Sequence, residues 1–241
     1  MHPLMVVVAF TLLAGMAMPF GAALASVERI RSHWLEAEFR HGIMAFGGGA
    51  LLAAVALVLV PDGIAHLSQG AAALYFCLGG VVFMGLDILL YKMKTSASQL
   101  AAMLTDFIPE SLALGAAFAL SVDNALLLAV MMALQNVPEG FNAYHELHGS
   151  SLHRRPRIIL MFAAMALLGP VAGVAGYLWL ADYPTQMAAV MLAASGGILY
   201  SIFQDIAPQV PLKKHWAPPL GALLGFALGI VGHMLVLSRM V

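Results

Sequence analysis

Charge is the scarcest ingredient of this chain. Only 10% of its 241 residues are Asp, Glu, Lys or Arg, against about 25% in a soluble domain. A water-soluble fold of this length cannot cover its surface with so little charge. This excludes an ordinary soluble globule and a disordered chain. Neither sign of charge is in excess. The formal net charge is -1, so no overall field draws in polyanions and nucleic acid is not an expected partner. Cysteine is nearly missing as well. Cys77 stands alone, which excludes a disulfide framework or a thiolate metal cluster within one chain. The sequence has no GxxxxGK[ST] phosphate loop, so coupling to ATP within this chain is not expected. It also lacks HExxH: HELH at 145–148 does not supply that ligand spacing. No enzymatic activity is expected.

What the chain has in abundance is apolar sequence. Hydrophobic residues make up 62% of it, and mean hydropathy is +0.92. A helix needs about 20 apolar residues to cross a bilayer. Eight such stretches occur, at roughly 3–26, 42–62, 70–91, 98–120, 124–146, 157–180, 185–208 and 217–238. The separators are short and polar, and no soluble domain interrupts them. The expected fold is an all-α polytopic membrane protein with eight transmembrane helices, residues 1–241 forming one unit in the lipid bilayer.

The basic residues orient the spans. Arg29, Arg31 and Arg40 lie between spans one and two, Lys92 and Lys94 after span three, Arg154, Arg155 and Arg157 after span five, and Lys213 and Lys214 after span seven. Only Arg239 falls on the other side. The positive-inside rule then places both termini outside the cytoplasm. The first span ends in AALAS, which resembles a signal-peptidase site at Ala25, but no Lys or Arg precedes its apolar run. It is therefore read as a retained helix.

Ionisable groups within spans are costly and mark ion pathways. Spans four and five concentrate them. Span four carries DFIPES at 106–111 and span five QNVPEG at 135–140. Asp106 stands four residues before Glu110, and Gln135 four before Glu139, so each pair shares a helical face. Pro109 and Pro138 each lack an amide hydrogen and crowd the carbonyl four residues back, so a kink is expected at each. The two helices are antiparallel and joined by a short turn, with both Glu residues near mid-span. Their faces are expected to meet in a cation site of Asp106, Glu110, Gln135 and Glu139, with Asn136 adding an amide oxygen. Such oxygen ligands suit divalent cations.

Here the sequence resembles the ZIP (Zrt/Irt-like) metal transporters over essentially its whole length. QNVPEG is close to that family's HN-x-PEG motif, and DFIPES is a looser match. FGGGALLAAVALVLVPD in span two, LLGPVAGVAG in span six and GGILYSIFQDIAP in span seven resemble the corresponding family helices. The resemblance implies a ZIP-like helix bundle in a bacterial inner membrane. It also implies uptake of divalent metal ions, with zinc, iron or manganese as the transported substrate and no cofactor. The chain departs from the motif at four places. Asp106 and Gln135 replace histidines, Phe107 replaces an asparagine, and Gly169 replaces an acid. Phe107 and Gly169 remove two ligands of the family's secondary site, so one transport site is expected. The loss of imidazoles tilts preference toward manganese, iron or cadmium and away from strict zinc selectivity. The alternative is a transport-dead homologue acting as a metal sensor or assembly partner. A homodimer is suggested by analogy alone.

Other polar residues have two readings each. Asp123 is either an entrance charge or a turn residue of SVDN. His145 and His148, three residues apart, are either an exit site, with Glu146 helping, or part of a hydrated loop that also holds His153. Asp205 either lines the cytoplasmic vestibule or pairs with Lys213 or Lys214. Asp62, His66 and Asp87 read as interfacial, and His233 as a helix contact. The methionine pairs Met131–Met132 and Met161–Met165 read as packing or lipid-facing residues.

Overall fold

A computed structural model describes residues 2–27, 33–93, 96–120, 122–150, 155–180, 182–210 and 216–240. Within these the chain is helical throughout, arranged as eight rods. They are α1 (Pro3–Val27), α2 (33–64), α3 (Gln69–Met93), α4 (Ser96–Leu120), α5 (Val122–Ser150), α6 (155–180), α7 (184–209) and α8 (Pro218–Met240). Six of them, α1, α2, α3, α6, α7 and α8, are long and apolar enough to cross a membrane. The two that are not among the six, α4 and α5, carry Asp106, Glu110, Gln135 and Glu139. This is an α-helical integral membrane protein.

Local sequence accounts for the rod ends. Prolines open α1, α7 and α8, where a missing amide hydrogen costs nothing. Ser68 precedes α3, and its Oγ accepts from the Ala71 amide at 3.4 Å.

Interior prolines act unevenly. Pro109 and Pro138, where kinks were expected, both lie inside continuous α-helix, in α4 and α5. The departures from α geometry fall elsewhere. A π turn at Val55–Leu59 precedes Pro61, with the Val60 amide reaching back to the Val55 carbonyl. Another at Ile202–Ile206 precedes Pro208, with the Ala207 amide bonded to the Ile202 carbonyl. A single turn residue, Leu167, interrupts α6 ahead of Pro170. A widened turn makes room for a ring that cannot donate. Pro138 is instead braced from outside: a Cβ added at Gly47 of α2 would sit 2.8 Å from its Cγ.

Rods pair through glycine. Between lipid-like surfaces association depends on close packing, since burial of apolar area gives no net drive in hydrocarbon. Gly21 of α1 faces the Val137 carbonyl while Gly140 of α5 faces that of Met18. Gly115 of α4 meets Gly173, and Gly176 of α6 meets Leu112. The same reciprocity joins α2 to α8, through Gly49 and Gly221, and α3 to α7, through Gly79 and Gly196. In each case a Cβ would run into backbone. Further contacts tie α1, α4, α5 and α6 into one bundle. α2 bridges that bundle to α8, and α7 links it to α3. α3 and α8 are the least buried of the apolar rods and turn Leu74, Val81, Leu224 and Leu235 outward, as lipid-facing helices do.

Candidate cation site

The polar faces of α4 and α5 do meet. Gln135 Nε2 donates to Glu110 Oε2 at 2.6 Å, and both side chains are buried. A charged acceptor shortens and strengthens such a bond. Glu110 is only 2% exposed, so its carboxylate is held in place by a neighbouring helix and shielded from bulk water.

Beside this contact lies a cavity of about 360 Å³ between the α1/α4/α5/α6 bundle and α2, α3 and α7. Gln135 and Glu139 of α5 line it, and Glu110 stands behind Gln135 without lining it. The cavity runs from the level of Leu51 and Gln135 to the rod ends at Tyr91 and Gln209. Exposure rises along the way: Gln135 is buried, Glu139 half-buried, Asp205 and Gln209 exposed. Its mouth lies at the end of the rods that carries Arg40, Lys92 and Arg157. Toward the opposite end the space is filled by carbon and sulfur. Leu59, Leu114, Leu128, Met131, Met132 and Met191 are all almost fully buried there. Met131 and Met132 are thus packing residues, one of the two readings open from sequence.

The remaining expected ligands are placed as follows. Asp106 is on α4, and its side chain lies outside the described residues. Asn136 is buried but turns away from the cavity: its Nδ2 donates 2.8 Å to the Ala14 carbonyl of α1. It braces the bundle. Among the described residues no three His, Cys, Asp or Glu side chains come together. Hence Glu110 and Glu139 are the carboxylates that can be placed at the site, with amides making up the rest.

One aromatic ring fills the space around Phe107 and Gly169. Phe107 is 1% exposed. A Cβ built at Gly15 or at Gly169 would lie 2.7 Å from its Cζ. The phenyl ring therefore occupies the space between α1 and α6 that any side chain at Gly169 would need.

The residues with two readings also find places. Asp87, read as interfacial, lines the cavity near its mouth and accepts from Tyr200 Oη at 3.1 Å. Asp205 lines it too, carried there by the π turn ahead of Pro208. Lys213 and Lys214 lie outside the described residues, as does His153. Asp123 is half-buried in the first turn of α5. Its neighbour Asn124 reaches Asp62 across to α2 at 3.5 Å, while His66 is exposed. His145 and His148 both contact Tyr144, with ring centroids at 5.9 and 5.5 Å, and His145 also meets Phe141 at 5.0 Å. The side chain of Glu146 lies outside the described residues.

Sequence reasoning missed Asn142 and Gln209 as cavity residues. Asn142 was detectable, because Gln135, Glu139 and Asn142 follow i, i+4, i+7 spacing on one helical face. Gln209 had no such signal, since its position depends on the turns that end α7. Compared with known proteins, the chain matches no family model and no curated relative.

Proposed function

We propose that this chain is a secondary transporter of the ZIP type that carries divalent transition-metal ions into the cytoplasm, in the setting of a bacterial inner membrane. The observation that supports this most is the buried Glu110–Gln135 contact at the head of a cavity with three further carboxylates on its walls, Glu139, Asp87 and Asp205. A buried carboxylate in an apolar bundle is costly unless it is paired, and its use as an ion ligand accounts for its retention.

In this reading all eight rods cross the bilayer and both termini are extracytoplasmic. The basic rod ends face the cytoplasm, so the cavity is an inward-open vestibule. The apolar layer of Leu59, Leu114, Leu128 and Met131 closes the outer path, because carbon cannot replace a cation's hydration shell. An ion enters past Asp123 and loses part of its water. Glu110, Glu139, Asp106 and Gln135 take it at mid-membrane. A shift of α1, α4, α5 and α6 against the other four rods then exposes it to the vestibule. It leaves past Asp205 and Asp87, with His145 and His148 on the exit side. A membrane potential contributes ~2.3 kcal/mol per charge per 100 mV to inward movement. Oxygen ligands favour manganese and iron, with zinc and cadmium as competitors.

Uptake into proteoliposomes tests this, with manganese, iron, zinc and cadmium in competition. Saturable flux that Glu139→Ala and Glu110→Ala both abolish is the expected result. Flux that survives both substitutions removes the site from the pathway. Tight binding without flux supports the second reading, a metal sensor. The specific observation behind that reading is Phe107, which fills the space beside the site and packs α4 against α1 and α6.

A further inference from the structure

Two residues of the cavity wall each carry a polar atom that the protein itself does not satisfy. Gln135 Oε1 and Asn142 Oδ1 are buried, and neither has a hydrogen-bond donor. Gln135 is 4% exposed and Asn142 7%, so both side chains are more than nine-tenths buried. Both line the same cavity, with Glu139 between them on α5. An amide oxygen left unpaired out of water is costly. Native proteins seldom leave such atoms unpaired without a use.

The direction of the Gln135 amide follows from its partner. Its nitrogen donates to Glu110 at 2.6 Å, so its oxygen must point elsewhere. That oxygen can accept a cation without breaking an existing hydrogen bond. The Asn142 oxygen likewise has no hydrogen bond to break. Spacing of i, i+4 and i+7 stacks Gln135, Glu139 and Asn142 along one face. We propose that Asn142 is a cation ligand of this cavity, its amide oxygen joining Gln135 and Glu139 in a ladder of three oxygen donors below Glu110. The ligand class is a hard divalent cation such as manganese, since the ladder offers oxygen alone. The ladder gives an ion that has left Glu110 a second resting position before it meets the wide mouth at Asp205. This assignment rests on the transport reading for its biological use, but ion binding can be measured without flux.

The test is manganese binding to the full-length protein in detergent, read from the loss of the free-ion EPR signal. Wild type is compared with Asn142→Ala, Asn142→Asp and Glu139→Ala, and the melting temperature of each is taken without metal. Asn142→Ala is expected to weaken binding about tenfold, equivalent to ~1.4 kcal/mol, with little change in metal-free melting. Asn142→Asp is expected to restore or tighten it. Wild-type affinity in Asn142→Ala, with binding lost in Glu139→Ala, overturns the assignment and leaves the transport reading intact. Weakening that both Asn142 variants share, in step with a lowered melting temperature, also overturns it, because the role is then structural. If wild type binds no manganese the assignment falls. Uptake of the other metals then decides the transport reading separately.

Discussion

Glu110 and its hydrogen bond separate structure from function at the scale of single residues. The carboxylate accepts from Gln135 in a buried setting. Glu110→Gln keeps an acceptor there and removes the charge. It is expected to melt close to wild type and to lose metal uptake. Glu110→Ala also strands the Gln135 nitrogen, at about 1–3 kcal/mol, so it should lose stability as well as uptake. Thermal unfolding in detergent beside proteoliposome flux distinguishes the two losses. Phe107 supports a second prediction. At Gly169 a methyl group would lie 2.7 Å from the phenyl ring and 3.0 Å from the Thr11 carbonyl. Gly169→Ala is expected to destabilise the protein by about 1–3 kcal/mol through overpacking. Phe107→Leu in the same chain should return part of that loss. If Gly169→Ala melts as wild type does, the ring is not confined as described.

Between elements, glycine decides which rods can touch. Gly140 lies against the Met18 backbone of α1, and Gly79 against that of Ala193 in α7. Nothing lies within 4 Å of a Cβ added at Gly85, on the outward side of α3. Leucine at Gly140 or Gly79 must push two helices apart and is expected to abolish recovery of a monodisperse protein. Leucine at Gly85 is expected to change stability by no more than about 0.5 kcal/mol. Size-exclusion profiles of the three variants give the answer, and equal behaviour of all three would reject the packing argument. The π turns belong to the same scale. One ahead of Pro208 holds Asp205, which lines the cavity, whereas the chain around Pro109 and Pro138 keeps α-helical hydrogen bonding. A proline sets a local demand, and neighbouring rods decide how it is met.

At the scale of the whole molecule, the proposed orientation makes a prediction about which end of the rods faces outside. Its mouth, at Tyr91 and Gln209, is at the opposite end of the rods from His66. With Cys77 replaced by serine, Gln209→Cys and His66→Cys can each be probed in intact cells with a membrane-impermeant maleimide. His66→Cys is expected to label from outside, and Gln209→Cys only after the membrane is opened. The reverse pattern would turn the proposed orientation, and with it the transport direction, upside down.

The sequence by itself determined the class of molecule, because scarce charge and long apolar runs leave a helix in a bilayer as the way to satisfy the backbone. It also located the pairing of α4 and α5, since Glu110 and Gln135 sit on polar faces whose spacing is fixed by the helical repeat. It placed Asn136 at the site and passed over Asn142. Both are amides near Glu139, but one faces α1 and the other the cavity. Helical spacing already groups Asn142, and not Asn136, with Gln135 and Glu139, but which face meets the cavity is shown only by the neighbouring rods. Asp87 and Asp205 came together for the same reason, as they lie on different rods far apart in the chain. Local periodicity fixes which residues share a face. Which face meets the cavity is decided by glycine-mediated contacts between rods, and those exist only in the folded bundle.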